Sequence, residues 1–287
     1  MMEHIPVRHI ETSQEETNLP EGFSIRKVQV LLDGKNMVQE LHRHDFFYVL
    51  VLEKGAGHHA IDFEPCEVAD RAVFCMRPGQ VHALTLHAGS RGYLMQFNAA
   101  FGSAYEPAVQ QALRRASRQN GYRLNTRAFD KLYAVLDRIF QEYTLQQEGF
   151  QAMIKANLSI FLIELDRGPH RERSLAGNRL YEQERLEEFE ELLETHAARH
   201  KQVAYYAGIM NLSPYQLNAI TKATLGKTCS EVISEYILLE ARRYLLATSR
   251  QVNQIAYQLG YEDTSYFIRF FKKHTGQSPE AFRQNFT

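Results

Sequence analysis

A chain of 287 residues is long for a single domain and long enough for two. Hydrophobic residues make up 44% of it and charged residues 23%, which is the composition of an ordinary globular protein. The formal net charge of −1 excludes an architectural DNA-binding protein, because that class needs strong positive charge.

The cysteines and the apolar runs indicate a cellular compartment. Cys66, Cys75 and Cys229 are odd in number and lack CxxC spacing, so neither a disulfide framework nor a zinc knuckle is indicated. The N-terminus has no apolar signal core, and the longest apolar run, 46–52, is too short to cross a bilayer. We therefore predict a cytoplasmic protein without a membrane partner.

The first hundred residues have the pattern of short strands separated by turns. A β-rich apolar run is followed by Gly55 and Gly57, and Pro78-Gly79 marks another turn between apolar segments. This spacing predicts a sandwich or a small β-barrel. The predicted strands are 23–32, 46–52, 71–76, 81–86 and 93–97.

Two amphipathic helices are predicted next, at 128–143 and 153–165. Two interpretations are open: the helices cover the open side of the sheet, or they form a dimer interface. Their apolar stripes consist of Phe129, Leu132, Leu136, Ile139, Phe140 and Tyr143 in the first helix, and of Ile154, Leu158, Phe161, Leu162 and Leu165 in the second.

A charged stretch with almost no apolar residues follows at 166–179. It contains glycine and proline, so we predict a linker there, between domains at 1–165 and 180–287. From Arg199 to the end, 11 Lys and Arg stand against 6 Asp and Glu. The C-terminal domain is therefore modestly basic, which averaging over the whole chain hides.

The C-terminal domain contains one pattern twice. An apolar residue is followed nine positions later by a glycine, as Leu217 and Gly226 in the first copy and as Phe267 and Gly276 in the second. Apolar positions at helical spacing on both sides of a short turn predict a helix-turn-helix, and the glycines suit the end of its second helix. The copies lie at about 203–225 and 252–275, and a helix predicted at 229–247 joins them.

The second copy resembles the C-terminal signature of the AraC/XylS family of bacterial transcription regulators, over a region of about 180–287. The matching residues are Ile255-Ala256, Leu259-Gly260-Tyr261, Ser265-Tyr266-Phe267, Arg269, Phe271-Lys272-Lys273, Gly276 and Ser278-Pro279. The resemblance implies a homodimer that binds double-stranded promoter DNA and responds to a small-molecule effector. It favours an activator, which would contact RNA polymerase. No cofactor and no enzymatic activity are expected.

A recognition helix buries one stripe and offers the opposite one to the major groove. The stripes predicted to be buried are Leu217, Ile220 and Leu225 in the first copy and Phe267, Phe270 and Phe271 in the second. The residues predicted to contact DNA are Pro214, Tyr215, Asn218, Ala219, Lys222, Thr264, Ser265, Ile268, Arg269, Lys272 and Lys273.

Side-chain chemistry divides these contacts. Asn218 can pair with adenine and Arg269 with guanine, and each contact contributes roughly 1–3 kcal/mol of discrimination. Family members often carry Arg and then Phe where this chain has Ala219 and Thr221, which predicts weaker base reading by the first copy. The residues predicted to hold phosphates, which set register rather than sequence preference, are Lys222, Lys272 and Lys273.

The N-terminal half resembles cupin domains at His42-Arg43-His44 and at the segment 78–82. The resemblance suggests an effector pocket containing His42, His44, Tyr48 and His82. Three imidazoles could hold zinc with water in the fourth position, but Tyr48 or Val49 stands where metal-binding cupins have a glutamate, so structural or effector-contacting roles are favoured over metal. His58 and His59 point to opposite faces of a strand, so at most one of them can join the group.

Together these observations predict a two-domain fold: an N-terminal cupin-like β-barrel with flanking helices, and a C-terminal all-α domain with two helix-turn-helix motifs. The predicted function is a sequence-specific transcription regulator that responds to an effector in the barrel. The alternative is a cupin metalloenzyme with a DNA-binding tail. The missing carboxylate and the presence of two helix-turn-helix motifs argue against that alternative.

Overall fold

The middle strand of one sheet in the N-terminal unit is apolar on both faces. The unit therefore has one hydrophobic core on each side of this strand. In the computed structural model, Phe47–Lys54 turns Tyr48, Leu50 and Leu52 to one side and Val49 and Val51 to the other, because side chains alternate along a strand. All five are at most 1% exposed. The structure describes residues 7–10, 20, 22–98, 101, 106–170 and 177–285.

Ten strands are found within these ranges. They are β1 (Val7–Arg8), β2 (Phe23–Lys27), β3 (Met37–His44), β4 (Phe47–Lys54), β5 (Gly57–Ile61), β6 (Glu64–Val68), β7 (Ala72–Met76), β8 (Val81–Leu86), β9 (Arg91–Phe97) and β10 (Tyr122–Arg123). One sheet has the order β1-β3-β8-β5-β6 and the other β10-β7-β4-β9-β2. Apart from the parallel β1–β3 pair, neighbouring strands are antiparallel.

Helices cover the outer face of the second sheet. They are α2 (Pro107–Ala116), α3 (Thr126–Leu145) and α4 (Phe150–His170), and a short helix, α1 (Val28–Leu32), follows β2. The stripes of α3 and α4 belong to the core that includes Val49 and Val51 of β4. The covering interpretation of these stripes is therefore confirmed. The predicted fold class, a sheet-rich N-terminal domain with helices, is also confirmed.

Two features of the N-terminal unit differ from the prediction. The strand predicted at 23–32 ends at Lys27, and Val28 to Leu32 are helical. Val28 and Leu32 are buried four residues apart, and so short an apolar run fits both periodicities. The strands β3 and β6 were not predicted, and β5 was assumed only as the strand that carries His58 and His59, because many residues of these strands are polar and exposed or half-buried.

The C-terminal unit is helical. Its helices are α5 (Gly177–His196), α6 (Val203–Ile209), α7 (Pro214–Leu225), α8 (Cys229–Ala247), α9 (Val252–Gln258), α10 (Thr264–Thr275) and α11 (Pro279–Asn285). The pairs α6–α7 and α9–α10 are the two helix-turn-helix motifs, and α8 connects them. The predicted all-α class with two such motifs is confirmed.

Local sequence determines where these helices begin and end. Ser213 and Thr228 each accept a hydrogen bond from the backbone N–H three residues later, which forms capping boxes at the starts of α7 and α8. Gly226 and Gly276 adopt φ angles of 71° and 81° after α7 and α10, the left-handed conformation that glycine tolerates.

The described residues divide into two compact units, one made of those up to residue 170 and the other of those from residue 177. Of the predicted linker 166–179, the first five residues continue α4 and the last three begin α5, while 171–176 lie outside the described residues. Glycine and proline in a sequence mark the end of a helix only to within a few residues. The bounds predicted for the two domains, 1–165 and 180–287, stay a prediction. No helix in the described part of the chain is long and apolar enough to cross a membrane.

Candidate DNA interface and histidine cluster

The second helix of the first motif, α7, has one buried stripe and a polar face opposite to it. Leu217, Ile220 and Thr221 are buried, and the hydroxyl of Thr221 donates to the carbonyl of Asn218 at 3.2 Å. Thr221 takes the place predicted for Leu225, which is 40% exposed. The physical reason is that Thr221 lies one turn after Leu217 on the same stripe, whereas Leu225 is the last residue of the helix.

Asn218 is half-buried and its side-chain amide is already used within the motif. Its Oδ1 accepts a hydrogen bond from the backbone N–H of Cys229 at 2.9 Å, and its Nδ2 donates to the carbonyl of Pro214 at 3.0 Å. Cys229 is the first residue of α8, where backbone N–H groups lack partners inside the helix. Asn218 therefore joins α7 to the connecting helix, and an adenine contact would have to use the second lone pair of Oδ1 and the second N–H of Nδ2 while the side chain stays in this orientation.

In the second motif, Phe267 and Phe271 are buried on α10. Phe270 was predicted to be buried but is half-buried, with its ring 5.7 Å from that of Tyr261 and 4.7 Å from that of His274. The opposite face is basic and carries Arg269, Lys272 and Lys273, whereas His274, also in the last turn, lies on the side of Phe270. Cations in the last turn also complement the negative end of the helix dipole.

Arg269 is exposed on α10, and its Nη2 lies 3.9 Å from the carboxylate of Asp263. Asp263 caps the helix by accepting a hydrogen bond from the backbone N–H of Ser265 at 2.7 Å, and this bond lowers the pKa of Asp263. The guanidinium of Arg269 also lies 6.0 Å from the ring centre of Tyr266, which is 58% exposed. Tyr266 was not among the predicted contacts, although it lies in the first turn of a predicted recognition helix.

The predicted DNA-contacting residues fall into one group on each motif, and all of them are exposed or half-buried. Tyr215 is 82% exposed at the start of α7. This arrangement provides two helix faces with amide, guanidinium, ammonium and aromatic groups, the chemistry that contacts base edges and phosphates. Contact of each individual residue with DNA stays a prediction.

The predicted pocket residues meet inside the N-terminal unit. His42 and His44 lie on β3, and His82 lies opposite His42 on β8. The Nε2 atoms of His44 and His82 are 2.8 Å apart, and the Nδ1 of His42 is 2.7 Å from the carbonyl of Glu40, to which it donates. One ligand nitrogen from each of the three imidazoles lies within 4.8 Å of the others.

A fourth histidine, His59 of β5, extends the cluster. Its Nε2 is 2.9 Å from the Nδ1 of His82, and it is 2% exposed, whereas His58 faces outward. The prediction that at most one of this pair joins the group is confirmed. β5 pairs with β8 and brings His59 to His82, a contact between distant segments that the spacing of the chain does not reveal.

Burial keeps these imidazoles neutral. It lowers the pKa of His42 to about 4 and those of His44 and His59 to about 3. It also lowers the pKa of His82 well below its usual value, with further repulsion from the neighbouring histidines. Neutral imidazole is the form that binds metal ions.

Tyr48, rather than Val49, faces the cluster. Its ring lies 5.1 Å from those of His44 and His82, while Val49 packs in the core on the other side of β4. Burial raises the pKa of Tyr48, so its hydroxyl keeps its proton at neutral pH. The four predicted pocket residues are therefore brought together. Whether they bind an effector stays a prediction.

The chain has recognisable similarity to known proteins. Residues 33–162 match the family described as the AraC-like ligand binding domain, and residues 206–285 match the helix-turn-helix domain. The HTH-type transcriptional activator RhaS of Pectobacterium carotovorum is 24% identical over 276 residues, which cover 91% of this chain and 94% of that protein.

Two further matches are shorter or more remote. The bifunctional transcriptional activator/DNA repair enzyme AdaA of Bacillus subtilis is 38% identical over 78 residues, which are 27% of this chain and only 37% of AdaA. The crystal structure of ToxT from Vibrio cholerae covers 93% of this chain and 99% of ToxT, with 13% identity and a TM-score of 0.44.

Proposed function

Because the chain belongs to the AraC family of DNA-binding transcription regulators, we propose that it is a one-component regulator in which an effector held by the N-terminal barrel controls promoter binding by α6–α11. The observation that carries this proposal is the pair of capped helix-turn-helix motifs joined by one helix, each with an exposed face of DNA-binding chemistry. Two such motifs on one connector suit successive major grooves, about 10–10.5 bp apart.

Within this proposal the two recognition helices have different roles. The second motif supplies base recognition through Arg269 and phosphate contacts through Lys272 and Lys273. In the first motif, the side chains of Tyr215, Ala219 and Lys222 make none of the two hydrogen bonds that hold the side chain of Asn218. We therefore assign Asn218 to the positioning of α7. The remaining predicted residues belong to the DNA-facing surface; they are Pro214, Thr264, Ser265 and Ile268.

The other partners belong to the same proposal. RhaS, matched over most of the chain, is a transcriptional activator, which supports activation and contact with RNA polymerase. A homodimer would double the number of DNA-binding motifs. Its contact would use parts of α3 and α4 other than their buried stripes, such as Met153 and Ile160, which are 49% and 47% exposed. Binding to promoter DNA implies a cytoplasmic location.

The alternative of a cupin metalloenzyme is less well supported. Tyr48 takes the place of the glutamate that completes the metal site of cupins, and burial holds its hydroxyl in the protonated form. No carboxylate belongs to the described histidine cluster. Relatives matched over most of their length are transcription regulators. We therefore propose that the chain has no enzymatic activity.

The test is selection of a random duplex library by the full-length chain at fixed moderate salt, followed by sequencing. We expect enrichment of a motif with two blocks spaced one helical turn apart. Enrichment of a single block would contradict simultaneous use of both motifs. Binding without any enrichment, lost as salt is raised, would contradict sequence-specific regulation.

A further inference from the structure

We propose that Lys201 sets the spacing at which the two helix-turn-helix motifs meet DNA, because it joins the turn before the first motif to the turn inside the second. Lys201 lies on neither recognition helix and is not among the residues predicted to contact DNA. The inference rests on the proposed function for its consequence on DNA, whereas the contact itself can be tested without DNA. It assigns a specificity-determining role to a positioning residue.

The ammonium group of Lys201 lies between the ends of two helices. Its Nζ donates to the carbonyl of Ala198 at 3.2 Å and to the carbonyl of Gly260 at 2.9 Å. Ala198 comes two residues after the end of α5, and Gly260 comes two residues after the end of α9. Carbonyl groups at a helix end lack partners inside the helix and lie at the negative end of its dipole. A cation shared by two such ends therefore holds them together.

Two further features tighten this contact. The Nζ of Lys201 lies 4.6 Å from the ring centre of Tyr261, a cation–π arrangement. Gly260 lets the two turns approach, since a Cβ there would lie 1.6 Å from the carbonyl oxygen of Ala198. Partial burial lowers the pKa of Lys201, and contacts partly removed from water are screened less by salt than exposed ones.

The turn that carries Lys201 is also bound to the first motif. Tyr206 of α6 is fully buried, and its hydroxyl donates to the carbonyl of His200 at 2.6 Å. On the other side of the contact, Tyr261 packs against Phe267 of the recognition helix α10, with 5.3 Å between ring centres. A continuous series of contacts therefore runs from α6 through Lys201 to α10.

The two motifs are thus connected twice, by α8 and by the contact of Lys201 with Gly260. Two connections at different points restrict rotation of one motif relative to the other more than one connection does. Each base pair inserted between two DNA blocks rotates the second block by roughly 34–36° relative to the first, since a helical turn has about 10–10.5 bp. A rigid pair of recognition helices cannot follow that rotation, so it accepts one spacing.

The first experiment measures the affinity of full-length variants for duplexes in which one or two base pairs are inserted between the selected blocks. We expect the unmodified chain to lose roughly tenfold or more on insertion, comparable to the effect of a mismatched base pair. Lys201→Met keeps a side chain of similar length without the ammonium, and its loss should be less than about threefold, because the motifs can adjust. Lys201→Arg keeps a cation and should recover part of the penalty.

Arg199→Met is the matched control. Arg199 is an exposed cation in the same turn, two residues before Lys201. Its replacement removes the same charge but leaves the contact with Gly260, so the spacing penalty should stay that of the unmodified chain. If Lys201→Met fails to fold by circular dichroism, Lys201→Gln replaces it and is expected to show the same loss of penalty.

Two results of this experiment would overturn the proposal. The first is an unchanged spacing penalty in Lys201→Met; together with a shallower dependence of affinity on salt, it would identify Lys201 as a phosphate contact instead. The second is an equal loss of the penalty in Arg199→Met, which would attribute the effect to the charge of the turn rather than to the contact with Gly260.

The second experiment measures the relative mobility of the motifs without DNA. Spin labels are attached at Ala223→Cys of α7 and His274→Cys of α10, both exposed positions. Cys66→Ser removes the half-buried thiol, and the other two cysteines are fully buried. Pulsed electron resonance, with unlabelled chain in excess, should give a narrow distance distribution that broadens in Lys201→Met. Equal widths would show that Lys201 does not fix the motifs.

The two experiments distinguish failure of this inference from failure of the proposed function. If the unmodified chain prefers no duplex with two blocks, the proposed function and the spacing role fail together, and the distance distributions still decide whether Lys201 joins the motifs. If the unmodified chain and Lys201→Met both accept only one spacing, the DNA-binding function stands and the role of Lys201 is wrong.

Discussion

The side-chain oxygen of Asn218 lies 2.9 Å from the backbone nitrogen of Cys229, so a residue on the recognition helix α7 caps the connecting helix α8. The same amide donates to the carbonyl of Pro214 within α7. One side chain therefore determines both the geometry of the first recognition helix and its attachment to the connector. This role competes with base recognition, since the two backbone partners fix the orientation of the amide and it cannot turn freely to an adenine.

Replacement of Asn218 by alanine should therefore reduce stability more than it changes sequence preference. Loss of a capping acceptor costs about 1 kcal/mol, and urea unfolding of the C-terminal unit would measure it. Asn218→Asp retains the acceptor for Cys229 and should lose less. If Asn218→Ala unfolds like the unmodified chain but loses preference at one A·T pair, the positioning role is wrong and the predicted adenine contact is right.

Arg269→Ala should remove sequence preference at one base pair. The exposed guanidinium lies 3.9 Å from the carboxylate of Asp263 and 6.0 Å from the ring centre of Tyr266, two long contacts, so it can turn to the two acceptors of a guanine edge at small cost. We expect a loss of roughly 1–3 kcal/mol at that pair, about 5- to 150-fold, in competition binding with duplexes mutated one pair at a time. Arg127→Ala, an exposed arginine of the N-terminal unit, is the control. Equal weakening for every duplex would contradict base reading.

Lys272→Ala should weaken all duplexes by a similar factor and reduce the dependence of affinity on salt. A lysine that neutralises one phosphate releases about one counterion, so the slope of log K against log salt should become shallower by about 1. Binding measured between 50 and 200 mM salt, roughly the range over which such slopes are resolved, tests this. Lys131→Ala should leave the slope unchanged. A new base preference in Lys272→Ala would exclude a phosphate role.

Local patterns predicted much of the C-terminal unit. The glycines at 226 and 276 act within one helical turn, so their residue type suffices to identify the ends of α7 and α10. Asn218 is different. Its residue type suits an adenine contact equally well, and only the packing of α7 against α8 shows that Cys229 lies within reach.

The histidine cluster was predicted in part for a similar reason. His42, His44 and His82 stand in two short motifs that can be recognised along the chain, but the contact between His59 and His82 depends on the pairing of β5 with β8. A strand was assumed at His58 and His59, but its pairing partner and register were not predicted. Strand alternation predicts that Tyr48 and Val49 face opposite sides of β4. It does not tell which of these sides faces the histidines, because that depends on how the two sheets are placed.

His59→Phe should destabilise the N-terminal unit. The substitution keeps the ring contact with Phe74 but removes the partner of the buried Nδ1 of His82, and a buried polar atom without a partner costs roughly 1–3 kcal/mol. Urea unfolding of the full-length chain measures the loss. His59→Gln, whose side-chain amide can bond the same nitrogen, should recover part of it. Unchanged stability in His59→Phe would show that the contact between His59 and His82 does not stabilise the barrel.

Gly260→Ala should destabilise the second helix-turn-helix, whereas Gly208→Ala should not. Gly260 follows α9 with a φ of +71°, and a Cβ there would lie 1.6 Å from the carbonyl oxygen of Ala198. The left-handed conformation alone costs a non-glycine residue roughly 1–2 kcal/mol, and the backbone at Ala198 must also move. That movement would disturb Lys201, whose ammonium donates to the carbonyls of both Ala198 and Gly260.

Gly208 is the matched control because it lies within α6 of the first motif, and a Cβ there meets no atom within 4 Å. Alanine in a helix is favoured over glycine, so Gly208→Ala should stabilise by roughly 0.5–1 kcal/mol. Urea unfolding followed by circular dichroism compares the two variants with the unmodified chain. Similar stability for both alanine variants would mean that the close approach of Gly260 to Ala198 does not hold the second motif in place.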